Sequence, residues 1–365
     1  MMDPFVERLL DLAIEIQQIP APTFHEADRA DFVRECFQLE KRVTVEMDAA
    51  GNVLACLPGY GSSAPVLVSA HLDTVFPIDT NLRFTRESDR VFGAGIGDNA
   101  LGVAGLFGLL WLLFERKIQL PGDLWLTANV CEEGLGDLKG MRALVDRFGD
   151  LPKAYLILEG MSLGHVYNRG LGVRRYRITI NTTGGHSWTD YGQPSAVHEL
   201  ASLATKLTAL VMPAKPRTTL NVGKISGGTS VNTIAAEASL ELDLRSEGLD
   251  ALQAVVQKVE ETAASLDSPD VRVQLELIGQ RPVGEISDNH PLVLQAQSCL
   301  KEQGFQPVLN IGSTDANLPL SRGFPAVTIG LTHGASAHTV HEYIVTGPLQ
   351  KGIEQLVQLV QKIGS

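Results

Sequence analysis

The chain of 365 residues carries a formal net charge of −12, with 44% hydrophobic and 20% charged residues. Length and composition suit a soluble globular protein of one large domain or two. The acidic balance argues against nucleic acid or an anionic membrane as the main partner, because both require clustered Lys and Arg.

From the amino terminus, residues 5–18 place apolar side chains at helical spacing, and so does the segment after Glu26. Asp3, Glu7, Asp11 and Glu15 give this start none of the basic and apolar character of a signal peptide. Residues 66–70, 124–130 and 154–158 are short apolar runs, with a helical stretch at 101–114 between the first two. Such alternation predicts a mostly parallel sheet covered by helices on both faces. The uncharged stretch 99–114 is shorter than a membrane span and suits a buried helix.

Near Gly172 the texture changes. Residues 173–181 alternate like a half-exposed strand, with Tyr176, Ile178 and Ile180 on one side. A helix at 195–211, strands at 219–225, 238–245 and 271–278, and a helix at 249–266 complete a small α+β domain. After Pro282 the first texture returns, with helices at 292–303 and 349–363 and a strand at 326–331. The reading is a main domain in two pieces, 1–171 and 283–365, with an insert at 172–282. Cys36, Cys56, Cys131 and Cys299 lack the spacing of a zinc knuckle or redox pair and read as reduced thiols of a cytoplasmic protein.

Chemistry gathers where the apolar runs end. Residues 66–70 lead into His71-Leu72-Asp73, residues 124–130 into Cys131-Glu132-Glu133-Gly134, and residues 156–158 into Glu159-Gly160. Parallel sheets present functional groups at the carboxyl ends of their strands, so these side chains converge on one crevice. The glycine-rich Gly93-Ala94-Gly95-Ile96-Gly97 leads into Asp98 at the mouth of a helix. It lacks a complete dinucleotide-binding fingerprint. His71 and Asp73 lie two apart on an extended chain and point to one side, where a carboxylate can orient a ligating imidazole. Of the adjacent Glu132 and Glu133, one is suited to hold metal and the other to move protons.

In this order and spacing, His71-Leu72-Asp73, Gly97-Asp98-Asn99-x-x-Gly102, Glu132-Glu133-Gly134, Glu159-Gly160 and His338-Thr339-Val340-His341-Glu342 resemble the co-catalytic zinc hydrolases. That family includes aminoacylase, acetylornithine deacetylase, succinyl-diaminopimelate desuccinylase and peptidase T. The resemblance covers nearly the whole chain. It implies a zinc-exopeptidase-like α/β fold with an inserted four-stranded lid or dimerisation domain, and two divalent ions, zinc first with cobalt or manganese as alternatives. It implies His71 and Glu159 on one ion, Glu133 and His338 on the other, Asp98 between them, Glu132 as general base and Asp73 behind His71. It also implies a cis Asp98–Asn99 bond and a homodimer.

The same resemblance gives His186, Asn232, Arg245 and Thr314 as candidate substrate-binding residues. His186 has an alternative reading as a loop histidine, Arg245 as an ion-pair residue, and Asp315, beside Thr314, as a helix cap. Two substrate classes stay open. Peptidase T-like exopeptidases act on small peptides; deacylases and carboxypeptidases act on N-acyl amino acids or acylated peptides. The Gly-Gly-His-Ser-Trp segment at 184–188 favours the first. Glu159 favours the second, because the tripeptidases usually carry aspartate there. A metal-free binding protein on this fold is a third reading, and the intact ligand set speaks against it.

Overall fold

The computed structural model describes residues 3–364. It divides the chain into two compact units, one formed by residues 3–170 and 284–364 and the other by Leu171–Val283.

The first unit is built on a mixed sheet. Its strands run in the order Thr44–Met47, Val53–Leu57, Gly122–Asn129, Ser63–His71, Ala154–Glu159, Ala326–Gly330, His165–Gly170 and Gly284–Glu285, and Val308–Gly312 also pairs with His165–Gly170. The four strands from Gly122–Asn129 to Ala326–Gly330 are mutually parallel. Antiparallel pairs flank them. The parallel strands are buried on both faces, which is why they read as unbroken apolar runs. Side-chain alternation sends Val66, Val68, Leu126 and Leu158 into one core, and Leu54, Leu67, Tyr155 and Ile157 into another on the opposite face.

Helices fill both layers. Pro4–Gln17 starts with Asp3 accepting from the Phe5 amide and Pro4 in the first turn, a strong helix-start signal. It packs with Leu101–Glu115 and Leu349–Gly364 on one face. Leu101–Glu115 is apolar all round because the surrounding core buries nearly every side of it. The 20-residue stretch Ile96–Glu115 is apolar enough to cross a membrane by length and composition, and it is mostly buried in the core.

The second unit is an antiparallel sheet in the order Thr218–Gly227, Glu237–Ser246, Gly172–Asn181 and Arg272–Arg281. Helices Ala196–Thr208 and Leu249–Ala264 cover one face of it. Tyr176, Ile178, Ile180, Leu240, Leu242 and Leu244 meet Leu200, Leu203, Leu207, Val255 and Val259 there in a core of their own.

Candidate metal centre

Three neighbouring parallel strands end on one edge of the main sheet. His71 is the last residue of its strand, lies opposite Asn129, and sits one strand away from Glu159, the last residue of Ala154–Glu159. Glu132 and Glu133 follow Asn129 through Cys131, whose φ of 59° turns the chain in the left-handed region. The fourth contributor is the tight turn Ile96–Ala100, in which Asp98 and Asn99 have non-helical dihedrals and the bond between them is cis. That isomer is the one the resemblance implies.

The turn is fastened from two sides. Asn99 donates to the Leu158 carbonyl at 2.8 Å and accepts from the Gly160 amide at 2.9 Å, which ties it to the end of the Glu159 strand. The fully buried Glu342 carboxylate accepts from the amides of Gly95, Gly97 and Asp98 at 3.1, 2.7 and 2.8 Å.

Asp98 stands between two histidines. Its Oδ1 is 3.1 Å from His71 Nε2, and its Oδ2 is 3.1 Å from His338 Nε2. Glu159 Oε2 lies 3.8 Å from His71 Nε2, and Glu133 Oε1 lies 3.1 Å from His338 Nε2. One ligating atom each of His71, Asp98 and Glu133 falls within 4.8 Å of the others. His71 is buried, whereas the His338 side chain is 56% exposed on the loop between Gly334–Ala335 and Tyr343–Val345, so the cluster opens to solvent on its His338 side.

The electrostatics report crowded acids. Burial pushes the Glu133 and Glu159 carboxyls up to about 7, reinforced by Asp98 and Glu132 and opposed by the histidines. Hydrogen bonds to Asp98 and Glu133 hold His338 up at about 10. Burial would depress the His71 imidazolium, but Asp73, Asp98 and Glu159 outweigh it and raise it well above its ordinary value. Burial likewise works against the charge of Asp98, but His338 and His71 hold its carboxyl below the usual range. Here protons stand in for the positive charge that the carboxylates call for. Two imidazoles and three carboxylates on one rim are a donor set that fits divalent zinc, cobalt or manganese.

Asp73 does more than back His71. The His71 Nδ1 contact at hydrogen-bond distance, 3.0 Å, is to the Asp73 backbone carbonyl, and the carboxylate lies 3.6 Å away. That carboxylate accepts from the amides of Glu132 and Glu133 at 2.9 and 2.8 Å and from the Thr23 hydroxyl at 2.8 Å. The carboxylate thus faces both the His71 imidazole and the backbone of the neighbouring turn. Asp315 is fully buried and accepts from Asn129 at 2.7 Å. The Ala316 amide donates to the Thr314 hydroxyl at 3.3 Å, and the short helix Asn317–Ser321 that follows has no side-chain cap, from Asp315 or any other residue. Thr314 also shares a hydrogen bond with Thr328.

His186, Asn232 and Arg245 all lie in the second unit. His186 pairs with Thr233 in a two-stranded ribbon, and the Asn232 carbonyl accepts from the Ser187 amide, so these two share one exposed loop cluster. The His186 ring accepts from the Trp188 amide. Arg245 is on the strand Glu237–Ser246 and pairs with Asp243 at 2.7 Å, the partner that its ion-pair reading calls for. Thr23 and Glu342 are among the residues that fasten the site and to which the sequence assigns no role. Glu342 was visible only as the end of the His338 motif.

The family model for peptidase family M20/M25/M40 matches residues 67–362. A putative succinyl-diaminopimelate desuccinylase of Mycobacterium tuberculosis is 25% identical over 95% of this chain and 96% of its own. The crystal structure of aminopeptidase PepT from Bacillus cereus superposes with a TM-score of 0.79 at 24% identity, covering 99% of each chain. A dinuclear metal-binding M20 peptidase from Bacillus subtilis superposes with a TM-score of 0.71 at 16% identity over 98% of each. The chain belongs to peptidase family M20/M25/M40 and is a peptidase or amidohydrolase of that family.

Proposed function

We propose that the protein is a di-zinc exopeptidase that hydrolyses small peptides. The carrying observation is Asp98, whose two oxygens each lie 3.1 Å from a different histidine, so that one carboxylate joins both halves of the donor set. His71 and Glu159 would hold one ion, and Glu133 and His338 the other, with Asp98 shared between them. Zinc held there would supply Lewis acidity and make water acidic enough, with a pKa of about 7, to be deprotonated near neutral pH. Glu132 takes the proton of the attacking water and returns it to the leaving amine. Asp73 fixes Glu132 and Glu133 through their amides, so base and ligand keep one mutual geometry.

His186, Asn232, Arg245 and Thr314 are the proposed substrate contacts. The protein works as a cytoplasmic homodimer joined through the second unit. Thr218–Gly227 is an edge strand of its sheet with mostly exposed side chains, and such edges favour pairing with another chain. A strictly monomeric species at assay concentration overturns the dimer.

A second reading, an N-acyl-amino-acid deacylase or carboxypeptidase, is favoured by glutamate rather than aspartate at position 159. Zinc-loaded protein incubated with free di- and tripeptides, and with the same peptides N-acylated, separates the two. Cleavage of the free-amine set alone, abolished by Glu132→Ala, supports the exopeptidase. Cleavage of the acylated set transfers the protein to the second class.

A further inference from the structure

The segment just before the helix Ala27–Leu39, and the first turn of that helix, carry three side chains that reach the catalytic turns. Thr23 donates to Asp73 at 2.8 Å. Arg29 is fully buried and donates to the Leu72 carbonyl at 2.7 Å and to the Ile19 carbonyl, bracing the segment between His71 and Asp73. Glu26 is 5% exposed, and its carboxylate accepts from the Cys131 amide at 3.0 Å and from the Cys131 thiol at 3.4 Å.

Cys131 is where the chain turns into Glu132 and Glu133. Its φ of 59° is a conformation that a side chain with a Cβ disfavours. The residue is buried, so an unmet amide there is costly. A buried carboxylate on that amide therefore does two things at once: it satisfies the donor and selects the backbone conformation that aims the next two residues. The link spans 105 positions in sequence and joins helix to turn directly.

We infer that Glu26 is a positioning residue of the metal centre, holding Cys131 in its left-handed conformation so that Glu132 and Glu133 face the reacting centre. The inference rests on the proposed roles of those two glutamates.

The test compares wild type, Glu26→Gln, Glu26→Ala, and Glu26→Ala in a Cys131→Gly background, all as full-length protein. Two readouts are taken: retention of zinc against a chromogenic chelator, and kcat and KM on a peptide that the wild type cleaves. Glu26→Ala is expected to release zinc about tenfold more readily and to lower kcat about tenfold, with KM within about twofold, the size of effect that a small misplacement produces. Glu26→Gln keeps an acceptor oxygen and stays near wild type. Glycine adopts positive φ freely, so the Cys131→Gly background restores most of both losses.

A purely structural Glu26 lowers thermal stability without that restoration. Wild-type zinc retention and kcat in folded Glu26→Ala overturn the inference, and so does a loss that Cys131→Gly leaves in place. If Glu26→Ala alone does not fold, the double variant decides by the same criterion. The zinc measurement stands even if no peptide is cleaved, so a wrong substrate class is told apart from a wrong role for Glu26.

Discussion

At the residue scale, the Glu342 carboxylate is one buried group that meets three amides of the turn carrying Asp98. Glu342→Ala leaves those donors without an acceptor, at about 1–3 kcal/mol for each buried group left unmet. The variant is expected to lose at least about 2 kcal/mol of stability and to hold zinc more weakly. Glu342→Gln keeps one acceptor oxygen and falls between. Denaturant unfolding with chelator competition measures both, and wild-type values for Glu342→Ala would remove the tether from the account. The same crowding gives the stripped protein a pH signature. Glu133 and Glu159 sit at about 7 and His338 at about 10, each above its ordinary value. Groups raised in the folded state bind protons more tightly than in the unfolded chain. Their contribution is complete below the unfolded pKa and is lost as pH rises through the folded one. Metal-free protein should therefore lose thermal stability from about pH 5 to about pH 10, and zinc-loaded protein much less, because the metal replaces the protons. A melting temperature of stripped protein that rises across that range would contradict this.

At the scale of elements, the site depends on how closely the Ile96–Ala100 turn lies against the Glu159 strand. A Cβ on Gly160 would stand 2.2 Å from the Gly97 carbonyl oxygen, a backbone atom with little room to retreat. Gly160→Ala should push the turn outward, at a cost of about 1–3 kcal/mol, and reduce the number of metals bound. Gly347→Ala meets nothing within 4 Å and is the neutral control. Metal counting by mass spectrometry checks it, and a Gly160→Ala protein with its full metal complement would show that the turn can yield. The elements that carry the metal-ligand motifs were legible because buried parallel strands must be apolar runs, and each run stops at its motif. Val53–Leu57 is just as buried, but no chemistry-bearing residue follows it to draw notice. His165–Gly170 was hidden by its own composition, with histidine, asparagine and arginine among its six residues. The proposed ligands were chosen from motif order. Their fastenings were not legible: Thr23 to Asp73, Glu26 to Cys131 and Glu342 to Asp98 span 50, 105 and 244 positions, and no local period records such a bond.

For the molecule as a whole, the insertion is tied off at both ends by pairing within each unit. Gly170 lies opposite Gly284 in the sheet of the first unit, and Val173 lies opposite Arg281 in the sheet of the second. Entry and exit strands are thus neighbours on either side of the junction, so the chain can leave one fold and return without leaving a gap in it. Leu171–Val283 has its own hydrophobic core and a length within the usual range for an independent domain. Its sheet holds none of the metal-centre side chains. The segment 171–283, expressed alone, should therefore unfold cooperatively on heating, with a midpoint unmoved by chelator. In the full chain, stripping the metal should lower only the transition that belongs to the first unit, since ligands stabilise only the fold that binds them. Circular dichroism and calorimetry with and without chelator distinguish the outcomes. A fragment with no cooperative transition would mean that the second core needs the first to fold. A chelator-sensitive fragment would mean that metal is held where none of the proposed ligands lies.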